Sequence, residues 1–355
     1  MNLWSWVWGV TSDLRKNNET ELVRQVSNIS SDTCAGRHKQ VDLYAKQAIQ
    51  RARKLKLSWL EVFLRHWHLQ SLVLHRANPK MGIKEAVSLL EFSSREDTKD
   101  CPQSICVVQD LTSCYACFDG VGYAKERLAV ADETMNRIDP SWDCYLCIAT
   151  EYASALFDLG DYKECSDYIN KINKNRMLVG FGQDTHELCL IQVHILIMEK
   201  KYKKARTLIK KVSRRDATLT VRKNIHKALI EASAGKYKQA MEILPTLAET
   251  KKSPITLFLW AEVLYLCILG DPSFNNKRNI NKLVKIVNDM EERGVYRDSF
   301  NLLAWLVKLS QDPQNDLKGT ELLARMENIK THLKRDCGAE DKLQALISNF
   351  NHILP

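Results

Sequence analysis

Four cysteines in two Cys-x-x-Cys pairs are the first residues in this 355-residue chain whose types and spacing suit chemistry. Cys114 and Cys117 lie in SCYACFDGVGY, and Cys144 and Cys147 lie in WDCYLC. Four thiolates can close a zinc site, with each sulfur about 2.3 Å from the metal. A single pair can instead run thiol–disulfide exchange where a strand-to-helix junction lowers a thiol's pKa. His66, His68 and His75 in RHWHLQSLVLH form a second cluster. His68 and His75 are seven residues apart and share one helix face, as two metal ligands must. No Gly-x-Ser-x-Gly, phosphate-cradling glycine loop or His-Glu-x-x-His occurs, and the polar stretch FGQDTH at 181–186 requires no more than a loop. No catalytic residue is assigned and no enzyme activity is expected.

The elements that position these groups are helices. Glycine (13) and proline (8) are scarce, which leaves few signals for hairpins and favours an all-α chain. Eleven cysteines, an odd number set mostly within apolar helical patterns, read as a reduced interior. MNLWSWVWGV lacks a basic leading region and a small-residue cleavage site, so no signal peptide is expected. The longest apolar run, LFLWAEVLYLCILG at 257–270, is too short to span a bilayer and carries Glu262. A cytoplasmic protein with no membrane association is the expectation.

A beat recurs along the helices. LFDLGDYKECSDYINKI (156–172), LIMEKKYKKARTLIKKV (196–212) and EASAGKYKQAMEILPTL (231–247) each run from an apolar helix end through a polar turn to a tyrosine. A small residue follows three positions later, within another amphipathic helix. Tyr162, Tyr202 and Tyr237 stand 40 and 35 residues apart, the spacing of stacked helical hairpins.

This pattern resembles the tetratricopeptide repeat family, whose unit is an antiparallel helix pair of about 34 residues. Ala153 and Ala228 stand at its small first-helix position, and Cys165, Ala205 and Ala240 at its small second-helix position. Two helices cross closely there, so only small side chains fit. The chain departs from the family at Val193 and lacks its closing proline. The resemblance implies an α-solenoid of about seven stacked antiparallel helix pairs over 38–355, best matched over 146–250. Residues 1–37 would form an N-terminal helical cap and loop, with 28–37 the loop, and 340–350 a C-terminal capping helix. Tyr123 and Tyr162 then mark equivalent turns, which sets Cys144 and Cys147 nine residues off the level of the other pair. That is roughly 13 Å along a helix axis, too far for one zinc ion. The cysteines read as small core residues, no histidine metal site is assigned, and no metal or other cofactor is expected.

The resemblance also implies a concave groove for a peptide or partner helix. Its lining would be Thr150, Ser154, Phe157 and Asp158, then Glu187, Leu190, His194 and Met198, then Arg222, Ile225 and Leu229. These positions lack the Lys and Asn of the family's carboxylate clamp, which disfavours an acidic chaperone tail. Charge offers another surface. Of the net +9, residues 200–227 carry twelve Lys or Arg against one Asp, +11, which leaves −2 elsewhere. Lys203, Lys204, Lys210 and Lys211 recur on one helix face. Arg214 and Arg215 follow in a turn, and Arg222, Lys223 and Lys227 open the next helix. Such a patch attracts nucleic acid or another acidic partner. The leading expectation is a non-enzymatic adaptor or regulator that holds a segment of a protein partner. A nucleic-acid-binding protein using the basic patch and a peptide-sensing regulator of bacterial type are the alternatives. The oligomeric state is left open.

Overall fold

A computed structural model describes residues 3–142, 144–175, 185–212, 217–251, 253–334 and 339–351. No strand occurs among them. The helices are α1 (Leu3–Lys16), α2 (Thr20–Cys34), α3 (His38–Lys54), α4 (Ser58–Gln70), α5 (Pro79–Ser93), α6 (Ser104–Asp119), α7 (Ala124–Met135), α8 (Tyr145–Asp158), α9 (Tyr162–Asn173) and α10 (His186–Met198). There follow α11 (Tyr202–Ile209), α12 (Ala217–Ser233), α13 (Tyr237–Ile243), the single turn α14 (Leu247–Thr250), α15 (Leu257–Gly270), α16 (Lys277–Arg293), α17 (Tyr296–Leu309), α18 (Gly319–Lys330) and α19 (Ala339–Asn351).

One device joins many of these helices. At Asn18, Gly36, Lys56, Gly160, Lys200, Gly235 and Gly294 a single residue takes positive φ. In each case its N–H donates to the carbonyl three residues back, and the next N–H donates to the carbonyl five back. The following helix then begins at once, at Thr20, His38, Ser58, Tyr162, Tyr202, Tyr237 and Tyr296. This Schellman ending satisfies carbonyls that a helix terminus would orphan. Elsewhere, Asn78 caps α5 by accepting from the N–H of Met81 at 3.2 Å, with Pro79 in the first turn.

The chain divides into two compact units, each with its own core. The first comprises Met1–Tyr115, Glu126–Tyr152 and Asn175–Gln183, so residues 1–37 belong with the helices that follow them. Val7, Leu14, Ile29, Val41 and Phe63 pack into one cluster here, and Leu69, Ala86, Leu89, Val107 and Cys114 into another. The loop expected at 28–37 is largely helix, because α2 runs to Cys34. Its Ser- and Asn-rich sequence hides a buried stripe of Leu22, Val26, Ile29 and Thr33, and Asp32 is held by Arg37. Between α4 and α5 the helix widens to a π-turn over Ser71–His75.

The second unit comprises Ala116–Lys125, Ala153–Lys174 and Asp184–Pro355. Most successive helices from α9 onward pack on each other, and α10 with α12, α12 with α15 and α15 with α17 also meet across the helices between them. Ala153, Cys165, Val193, Ala205, Ala228 and Ala240 are all fully buried. Cys165 Sγ lies 3.1 Å from the Ala153 carbonyl, so the small positions do mark close approach. A Cβ on Gly270 would enter the ring of Tyr237, a second such approach. In the same unit, fully buried Asp119 accepts from Arg297 Nε at 2.6 Å and from the Lys334 N–H at 2.9 Å.

Candidate functional site

The second unit holds a cleft of about 160 Å³ with a mainly apolar lining. Helix α8 contributes Ser154 and Phe157, and α10 contributes Glu187, Leu190 and His194. Helix α12 supplies Arg222 and His226, and Leu259 closes the far wall from α15. Phe157 and His194 stand 4.8 Å apart between ring centroids, and His194 meets His226 edge-to-face at 6.5 Å. The Arg222 guanidinium grips both oxygens of Glu187 through Nη1 and Nη2, which ties α12 to α10 beside the opening.

The two imidazoles are neutral. Burial pushes both down to about 4, in His194 with help from His226, and in His226 against the opposing hydrogen bond to the Arg222 carbonyl. His226 Nδ1 is 2.9 Å from the Arg222 carbonyl, which can only accept, so that nitrogen carries the proton. The cleft therefore offers aromatic and aliphatic walls with one ion pair at its edge.

Three carboxyls on α8, α15 and α17 act on one another through their charges. Asp158 follows Phe157 on α8, and Glu262 is one turn from Leu259 on α15. Asp298 on α17 is raised to about 7, by burial first, then by the charges of Asp158 and Glu262, with Arg297 opposing. Glu262 is raised to about 7 by burial alone.

Six positions expected in the groove, Ser154, Phe157, Glu187, Leu190, His194 and Arg222, meet in this cleft. Others do not. Thr150 belongs to the first unit, and its hydroxyl donates to the Leu146 carbonyl. Met198 is exposed at the end of α10. Ile225 and Leu229 are buried in the core. From Arg222 the cleft face of α12 continues at i+4, to His226, and not at i+3. His226 and Leu259 were missed: His226 stands one turn from Arg222, whereas Leu259 depends on how α15 packs.

Lys203, Lys204, Lys210 and Lys211 are exposed, as a solvated basic face requires. Arg214 and Arg215 lie outside the described residues. Lys223 does not join that face: it is buried, and its ammonium donates to the carbonyls of Lys210 and Val212. These carbonyls lie just past α11, where a cation satisfies orphan acceptors. Arg222 is engaged by Glu187, and Lys227 is half-buried.

In the first unit, Cys114 packs into the core beside Gly82, whereas Cys144 and Cys147 keep company with Cys106. The Cys106 thiol is pushed up by its hydrogen bond with Cys144, then by burial, and burial pushes Cys147 up to about 12. His66 Nδ1 lies 2.8 Å from buried Asp110, and His68 Nε2 lies 3.0 Å from Asp42, which also binds Arg76. Neither carboxylate is near its histidine in sequence, so spacing gave no sign of them. Among the described residues no group of three His, Cys, Asp or Glu is arranged to hold a metal ion, and no helix is long and apolar enough to cross a membrane.

No protein-family model matches this chain, and a comparison with curated proteins finds no match.

Proposed function

We propose that this chain is a non-enzymatic adaptor or regulator of tetratricopeptide-repeat type, stacked as a solenoid, which holds a segment of a partner protein in the cleft of its second unit. One observation carries the reading. Ser154, Phe157, Glu187, Leu190, His194 and Arg222, chosen by repeat register alone, come together from three helices around one cavity. A cavity of about 160 Å³ suits one large apolar side chain, which is how an extended or helical segment anchors in a groove. The rigid helical walls reduce the ordering cost of binding. A panel of fluorescent peptides, half with a Phe or Leu anchor and half with Ser in its place, tests this by anisotropy. Anchor-bearing peptides should bind, and Ser154→Trp, which fills the cleft, should abolish the binding while the far-ultraviolet circular dichroism stays unchanged. Equal binding by the variant would refute the reading.

A second reading draws on Lys203, Lys204, Lys210 and Lys211, which present four exposed ammonium groups on one side of α11 and the turn after it. Under it the partner is nucleic acid, and binding falls steeply between low and high salt. Changing all four to Glu would then abolish binding, whereas the cleft reading predicts that the peptide is retained.

A further inference from the structure

The cleft has an ion pair at its rim and a polar atom without a partner deeper in. At the rim, the side chains of Glu187 and Arg222 are 43% and 22% exposed. One turn along α12, His226 is only 4% exposed, yet its ring lines the same cavity. The Nδ1–H of His226 donates back to the Arg222 carbonyl of its own helix at 2.9 Å. Nε2, on the far side of the ring from that backbone, is then a bare acceptor turned toward the cleft. No group among the described residues donates to it. Burial keeps the ring neutral, so this lone pair persists near neutral pH.

Neighbouring polar groups are engaged elsewhere. Nη1 and Nη2 of Arg222 hold Glu187, and Thr256 Oγ1 donates to the Ser253 carbonyl at 2.8 Å. The walls are the rings of Phe157 and His194, 4.8 Å apart, with Leu190 and Leu259. An occupant therefore meets rings and aliphatic groups at its sides and an acceptor at its tip. A side chain without a donor would displace water from Nε2 and leave a buried acceptor unpaired, which costs binding. A phenol meets both demands. Its ring suits the walls, and its O–H takes a partner when buried.

We propose that the anchor residue of the partner segment is tyrosine, whose ring fills the cleft against Phe157, His194 and Leu259 and whose hydroxyl donates to Nε2 of His226. This rests on the peptide-holding reading and names the side chain that the groove selects. A Phe anchor still binds through its ring, but more weakly.

The probes are three fluorescent peptides that differ only at the anchor, which is Tyr, Phe or 4-methylphenylalanine. The last has nearly the shape of Tyr but no donor. Anisotropy should show the Tyr peptide binding at least about tenfold tighter than either of the others. His226→Phe keeps a ring and removes the acceptor, so it should bind the Phe peptide and lose the preference for Tyr. The three peptides on the unaltered protein decide the matter even where that variant does not fold. Binding of the 4-methylphenylalanine peptide as tight as that of the Tyr peptide would mean that shape alone is read, and overturns the inference. Equal binding of Tyr and Phe, or an unchanged Tyr preference in His226→Phe, overturns it too and leaves the peptide groove standing. If no anchor-bearing peptide binds, the groove reading falls and takes this inference with it.

Discussion

His194 and His226 are buried as neutral rings, held down to about 4, so acid must charge them against their surroundings. Each adds stability that is present above the unfolded value near 6.5 and is lost as pH falls toward 4, up to roughly 3 kcal/mol per ring. Glu262 and Asp298, raised to about 7, act in the opposite sense. Their protonated forms favour the fold at low pH, and that contribution is lost as pH rises from about 4 to about 7. The two effects offset one another between these limits. Glu262→Gln isolates one of them: relative to the parent it should gain stability from pH 5 to pH 8, by at most about 3 kcal/mol, in urea titrations at the two pH values. A constant difference would show that Glu262 is not desolvated. Thiols give a second check at this scale. Cys34 is exposed, whereas Cys101, Cys165 and Cys267 are buried, with thiols pushed up to about 11, 12 and 12. Brief iodoacetamide treatment with peptide mapping should label Cys34 well before those three.

Helix boundaries were legible where a residue type announces them. Gly160 and Gly235 signalled their turns, and the tyrosines after them gave the repeat. Asn18, Lys56 and Lys200 take the same left-handed conformation without a glycine, so their turns could be read only by analogy with the others. A non-glycine residue pays about 1–2 kcal/mol for that conformation. Lys200→Gly should therefore stabilise the protein by about 1 kcal/mol, and Gly235→Ala should cost about the same, both measured as midpoint shifts in thermal unfolding. The reverse ranking would contradict the turn geometry. The C-terminal half of α2 escaped the sequence reading because Ser30, Ser31 and Asp32 imitate loop composition around Ile29. Lys223 escaped because a buried lysine on α12 and a solvated one have the same sequence signature. Its donation to Lys210 and Val212 ends α11, so Lys223→Met should destabilise by about 1–3 kcal/mol by leaving those carbonyls unpaired.

The all-helical class was readable from composition and period, because local propensity and apolar spacing act within one or two turns. The division into two units was not, since it depends on packing between residues far apart in the chain. Asp119 shows the difficulty: its partners Arg297 and Lys334 lie 178 and 215 residues away. The candidate site was half legible. Repeat register gave the α8 and α10 walls, while Leu259 depends on how α15 packs. Photo-crosslinking tests the central claim most directly, using an anchor-bearing peptide with a benzophenone beside its Phe and adducts mapped by mass spectrometry. The account predicts adducts within 145–158, 186–198 and 217–233, competed away by unlabelled peptide. Adducts confined to the lysine face at 202–211, or scattered without competition, would contradict it.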